Sequence, residues 1–167
     1  VTVATDASAG LTVAGSLLAD GGDATAGDND GGAAGAITLD TAGGSIELAS
    51  ATLSAVGGAG DGTGGGAGDG ASILFRDPIG LSTGESAVSI SGTASDPNAL
   101  IDFQQAVDGG QALTLTAGTG DIAFDAAVGG TTRLEALTIQ SAGDAQFGDI
   151  LTAASFTQAA GSGTTTL

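Results

Sequence analysis

Ala112-Leu113-Thr114-Leu115-Thr116-Ala117 runs into Gly118-Thr119-Gly120-Asp121-Ile122-Ala123-Phe124, and both halves come back: Leu137-Thr138-Ile139 after 24 residues and Ala145-Gln146-Phe147 after 23. In each triplet apolar residues flank a single non-matching one, the two-residue period of a strand with one face buried and one wet. The punctuation repeats too, because Gly120-Asp121, Gly143-Asp144 and Gly163-Thr164 each open the next short strand. The unit is therefore a little over twenty residues, two strands joined by glycine turns.

The same triplet occurs as Val1-Thr2-Val3, Leu11-Thr12-Val13 and Ile37-Thr38-Leu39. Related strands read Ile46-Glu47-Leu48, Ile73-Leu74-Phe75, Val88-Ser89-Ile90 and Ile101-Asp102-Phe103. The amino-terminal part repeats on a longer step of about 36, which sets Leu11-Thr12-Val13 against Ile46-Glu47-Leu48, Leu17-Leu18 against Leu53-Ser54, and Ile37-Thr38-Leu39 against Ile73-Leu74-Phe75. Its extra length lies in residues 19–36 and 57–72, nearly all Gly, Ala, Asp, Thr and Ser, at the same point of successive repeats. Insertions at one register emerge on one face of a solenoid. Pro78 and Pro97 each follow an aspartate and read as turns.

A three-residue strand cannot cover its own apolar face or pair its own backbone edges. Stacking successive coils at ~4.8 Å meets both needs. The expected fold is all-β, a right-handed parallel β-helix (β-solenoid) with coils of ~20–24 residues and Gly/Asp-rich insertions. An antiparallel sandwich would call for Asn-Gly hairpin signals and larger inward residues. The whole of residues 1–167 reads as a single solenoid segment: long-looped coils over 1–75, irregular coils over 76–111 and regular coils over 112–167. Both Val1-Thr2-Val3 and Thr165-Thr166-Leu167 look like working strands, so the expectation is that the chain continues past them or that copies stack end to end.

Composition agrees with a thin core. Val, Leu, Ile and Phe together supply 36 of 167 residues, while glycine alone supplies 32. Nineteen carboxylates against Arg76 and Arg133 give a formal charge of −17, which repels phosphate backbones and anionic headgroups and argues against nucleic-acid or membrane partners. With no Cys and no His, disulfides, thiolate sites and the commonest transition-metal ligand are excluded. No apolar run approaches the ~20 residues of a membrane span, and the opening residues lack the basic and apolar parts of a signal peptide, as expected of a mature chain or a fragment.

Residues 112–117 (ALTLTA), the run 118–124 (GTGDIAF), Ala127-Val128-Gly129-Gly130-Thr131-Thr132 and Leu137-Thr138-Ile139 resemble the repeat region of filamentous-haemagglutinin-like bacterial surface adhesins. Ala36-Ile37-Thr38-Leu39-Asp40 with Gly43-Gly44-Ser45-Ile46 carries the same likeness, which covers most of the chain and weakens between Arg76 and Asp108. The resemblance implies a right-handed β-helix, export to the cell surface, and service as a stalk, filament or adhesin.

Among ligands, calcium fits best: Asp20, Asp23, Asp28 and Asp30 share one inserted segment, Asp61 and Asp69 the corresponding one, and oxygen-rich loops suit hard cations. The same aspartates equally suit solvated loops, since residues 57–61 miss the RTX nonapeptide and residues 28–31 lack the distal EF-hand ligands. Asp121 with Asp125, or Asp144 with Asp149, could form the paired carboxylates of a polysaccharide-degrading β-helix, at ~5–9.5 Å. The chain lacks Trp, Tyr, His and Lys to hold a sugar, and aspartate beside glycine is ordinary turn chemistry, so no enzyme is expected. The glycine run of residues 57–70 lacks the Gly-Lys-Ser/Thr of a phosphate loop.

Thr2, Thr12, Thr38, Thr114 and Thr138 read as one outward row, yet Glu47, Ser89, Asp102 and Gln146 at equivalent places speak against an ice-binding ladder. Arg76 is expected to pair with Asp77, and Arg133 with Glu135. The functional expectation is a self-associating extracellular rod. An adhesin segment for carbohydrate or a receptor is the alternative, followed by the carboxylate enzyme.

Overall fold

A computed structural model describes residues 1–6, 9–25, 29–62, 64–82, 88–94 and 99–167, with β7 described along its backbone. Among them every regular element is a β-strand. In chain order they are β1 (Thr2–Ala4), β2 (Leu11–Leu18), β3 (Ile37–Asp40), β4 (Ile46–Ser54), β5 (Ile73–Phe75), β6 (Ile79–Leu81), β7 (Val88–Ala94), β8 (Leu100–Phe103), β9 (Val107–Gly109), β10 (Ala112–Gly118), β11 (Asp121–Phe124), β12 (Ala136–Ser141), β13 (Ala145–Phe147), β14 (Phe156–Gln158) and β15 (Thr165–Thr166). Pro97 lies outside the described residues.

The strands form two sheets, and the pairings are parallel. One sheet runs β1-β3-β5-β8-β11-β13-β15; the other runs β14-β12-β10-β7-β4-β6-β9, with β2 also beside β4. The second sheet forks at β4. The first half of β4 pairs with β6 through Ile46↔Ile79, and its second half with β7 through Thr52↔Ser89. The bend lies at Ser50 (φ 51°), and in β2 at Gly15 (φ 101°), where the register between the two strands slips. The chain thus visits three rows of strands in turn before starting the next round. Val128 and Leu151 extend the β6–β9 row as parallel bridges.

The register expected from sequence holds: Leu11↔Ile46, Leu17↔Leu53, Ile37↔Ile73, Leu113↔Leu137 and Ile122↔Ala145 are partners. Equivalent positions lie about 36 residues apart in the early rounds, 28 in the next, and 19 to 24 near the end. The first and the last are the longer step read from the amino-terminal residues and the shorter unit read from the carboxy-terminal ones.

Rows of like side chains fill the interior. Ile37, Ile73, Ile101 and Ile122 stack on one another in one row, and Leu39, Phe75, Phe103, Phe124 and Phe147 in the next, all buried. The rings of Phe75, Phe103, Phe124 and Phe147 form a stacked column with centroids 4.6 to 4.9 Å apart. Each such side chain contributes about 1.5–3 kcal/mol on burial. Phe156 is the register partner of buried Leu137 and lies at the open end of the column. It stands 36% exposed, edge-on to Phe147.

Among the described residues, the two glycine-rich insertions are hydrogen-bonded to one another. Gly21 and Ala24 donate to the carbonyls of Val56 and Ala59, and Gly31 and Ala34 to those of Gly66 and Asp69. Within each insertion, Gly32 and Gly35 donate to Gly22 and Ala19, while Gly68 and Ala71 donate to Gly58 and Ala55. Gly58 in turn donates to Gly32, joining limbs on different insertions. These bonds recur every third residue, the repeat of polyproline-II-type backbone and not of a pleated strand. Four extended limbs therefore pack as a bundle. A Cβ on Gly58 would fall on the Gly22 carbonyl, and one on Gly68 on the Gly32 carbonyl, so glycine is required at these contacts. The insertions share one register as expected, and they build a packed annex.

Candidate functional site

The aspartates singled out for calcium are placed by this annex, and their oxygens face the neighbouring round. Asp20 Oδ1 accepts from Val56 N–H at 2.8 Å and from the Ser54 hydroxyl at 2.6 Å. Asp23 Oδ1 accepts from Ala59 N–H at 2.7 Å, and Asp30 Oδ1 from Gly66 N–H at 2.7 Å. Asp61 accepts from Asn29 N–H at 3.3 Å and Gly65 N–H at 3.4 Å. Asp69 sits on the returning limb, where its carbonyl receives Ala34 N–H. Asp28 lies outside the described residues.

Asp20 and Asp23 line an open depression of about 440 Å³ with Gly21, Gly22, Val56 and Gly57. Calcium takes six to eight oxygen ligands. Among the described residues, no three acidic side chains converge on one point. The structure brings these aspartates into one annex and engages them with backbone donors; it does not gather them into a cage.

The same device recurs along the chain. Asp108 Oδ1 accepts from Thr131 N–H at 2.8 Å and Thr132 N–H at 3.0 Å; Asp121 Oδ1 accepts from Asp144 N–H at 2.7 Å; Asp144 Oδ1 accepts from Thr164 N–H at 2.6 Å. Hydroxyls do likewise: Ser72 Oγ accepts from Leu100 N–H and Ser141 Oγ from Gly118 N–H, both at 3.0 Å. Each acceptor serves a donor one round away, at a corner where the strand ladder is interrupted. Bonds with an ionised acceptor are the stronger kind.

Asp77 is the most enclosed member, with only 7% of its surface exposed. Its carboxylate accepts from Thr41 N–H at 2.6 Å and from Gly43 N–H at 3.0 Å. The Thr41 backbone donor outweighs burial and holds the Asp77 pKa below the ordinary carboxylate value, with Gly43 helping. The buried Thr41 hydroxyl favours the charged form too, although it makes no hydrogen bond of proper geometry. Asp102 is pushed the other way: burial raises its pKa, Gln104 N–H opposes this at 3.2 Å, and the charge of Asp125 adds to the rise.

Asp121 opens β11 and Asp125 follows its end, a separation of ~13 Å along an extended strand, beyond the window for paired glycosidic carboxylates. Asp149 Oδ1 is turned back onto the adjacent Ile150 N–H at 2.7 Å, while Asp144 faces Thr164. Asp121 and Asp125 are therefore not brought together as hydrolysis would need.

Arg76 pairs with Asp40 of the preceding round at 3.5 Å. The expected partner, Asp77, is turned inward to Thr41 because the two neighbours alternate across the chain. Arg133 is exposed.

The single threonine row also resolves differently. Thr2 and Thr38 are partners in the seven-stranded sheet, Thr12 faces Glu47 on the first half of β4, and Thr114 and Thr138 are partners on the far limb of the other sheet. Glu47, Asp102 and Gln146 do not stand in the row of Thr114 and Thr138; Ser89 does.

Sequence reasoning missed the inter-round carboxylate seam. Its available signal was the aspartate placed one full repeat ahead of a glycine-rich backbone, as in Asp30 and Gly66. No family model matches the chain, and no curated protein or solved structure matches it.

Proposed function

We propose that this chain is a right-handed parallel β-helix acting as a passive structural rod of a bacterial surface protein, outside the cell. The observation that carries the reading is the continuous parallel register through seven strands of one sheet, with an unbroken column of isoleucines and phenylalanines behind it. Crossovers between parallel strands of one sheet are right-handed in about 98% of cases, which supports the hand assigned here. Export is supported by the likeness of residues 112–139 to haemagglutinin-type repeats.

Acidity serves the rod in two ways. Carboxylates tie successive rounds at the corners, and their net charge keeps the exposed surface soluble. Open strands at either extreme of the stack suit addition of further β-structure, from adjoining chain or another copy.

Electron microscopy and small-angle scattering of purified protein test this. The expected particle is elongated, with strands stacked at ~4.8 Å along its long axis. A compact, near-spherical envelope would overturn the reading.

A further inference from the structure

One wall of the stack differs from the others in carrying no charge. Its strands are residues 14–18 of β2, residues 50–54 of β4, and then β7, β10, β12 and β14; none contains Asp, Glu, Lys or Arg in a chain of formal charge −17. The other rows hold Asp40, Asp102 and Asp121, or Glu47 and Asp108.

Register aligns hydroxyl residues across this wall in two ranks. Ser16, Thr52, Ser89, Thr114, Thr138 and Thr157 are successive partners in the first. The second is incomplete: Leu18, Ser54, Ser91, Thr116 and Ser141 are successive partners, but Leu18 is apolar, the Ser54 hydroxyl donates to Asp20 and the Ser141 hydroxyl accepts from Gly118 N–H. The alternate residues Leu53, Leu115 and Ile139 are buried, so Thr52, Thr114 and Thr138 face solvent. The buried rows behind them hold the wall in place.

We infer that this wall is an ice-binding face. Its first rank repeats at ~4.8 Å from strand to strand, and the second lies two residues on, ~6.6 Å, except in β12, where the register shift puts Ser141 three residues after Thr138. The strand-to-strand repeat is close to an oxygen repeat on the prism face of hexagonal ice. A threonine offers a methyl group and a hydroxyl that donates and accepts, so a regular array orders water without the strong, irregular hydration of charges. Sugar recognition would want aromatic platforms, and the wall has none in either rank. Lateral docking of a second copy is the competing occupant. Its area, about six strands by five residues, is ~500 Å² per copy, small beside the ~800 Å² per partner of a standard interface.

The test compares wild-type protein, Thr114→Lys with Thr138→Lys on this wall, and Thr38→Lys on the seven-stranded sheet, in ice-recrystallisation and thermal-hysteresis assays. Circular dichroism verifies that each variant keeps its fold. Inhibition by wild type, lost in the wall variant and kept in Thr38→Lys, supports the assignment. No inhibition by wild type overturns it, as does equal loss in both variants. So does sedimentation that reveals a dimer dissolved by the wall substitutions when ice growth is unaffected, which gives the face to a second copy.

Discussion

The Phe103 ring lies 4.6 Å from that of Phe124, with planes 6° apart, and Phe75 repeats the arrangement at 4.8 Å on its other side. Phe103 is 1% exposed, so truncation leaves a void between two fixed rings. Phe103→Ala is expected to destabilise the chain by roughly 3–5 kcal/mol, read as a fall in urea midpoint. Phe156→Ala, at the exposed edge of the column, is expected to cost less than about 1.5 kcal/mol. Equal losses would mean the column is not a continuous core.

Asp77 supplies the acceptor for Thr41 N–H inside the fold. Asp77→Ala leaves that donor buried and unpaired, with an expected loss of about 1–3 kcal/mol. Because the folded pKa is lowered, the stabilisation is present above the unfolded value of ~3.9 and is lost as pH falls through the lower folded value. Urea midpoints of wild type and Asp77→Asn should therefore differ at neutral pH and converge under acid. A gap that persists unchanged at low pH would contradict the carboxylate's role.

Much of this architecture is readable in the residues, and the reason is periodicity. Leu113↔Leu137 and Ile122↔Ala145 come from direct repetition, because a strand with one buried face must alternate and a stacked strand must copy its neighbour. What the residues hide is which wall each triplet belongs to. Thr12 and Thr114 sit in identical apolar-Thr-apolar settings yet face different neighbours, since the bend at Ser50 is set by backbone geometry that serine does not advertise. The aspartates of the insertions are ambiguous for a related reason. A carboxylate that clamps a distant N–H and one that waits for a cation have the same local sequence.

Asp102 carries the opposite sign from Asp77. Burial and the Asp125 charge raise its pKa despite Gln104, so its ionised form opposes folding above the raised value. Asp102→Asn is expected to raise the thermal midpoint at neutral pH. That advantage shrinks as pH falls and vanishes below the unfolded value of ~3.9, where the carboxyl is protonated in both states. Asp125→Asn should give part of the same gain. A midpoint lowered at neutral pH by Asp102→Asn would show that its charge is needed.

The glycine bundle makes its own prediction, because two neighbouring glycines meet opposite surroundings. A Cβ at Gly58 would overlap the Gly22 carbonyl, whereas one at Gly22 meets nothing within 4 Å. Gly58→Ala must push two backbone limbs apart and break the Gly58-to-Gly32 bond, an overpacking cost of about 1–3 kcal/mol. Gly22→Ala only restricts the unfolded chain, with an expected gain of up to ~1 kcal/mol. Hydrogen exchange separates this from a global effect. In Gly58→Ala the amides of Gly21, Gly31, Gly32 and Gly68 should lose protection together, while those of β10 and β12 keep theirs. If both substitutions behave alike, or if these amides exchange freely in the wild type, the limbs are independent loops and not a bundle.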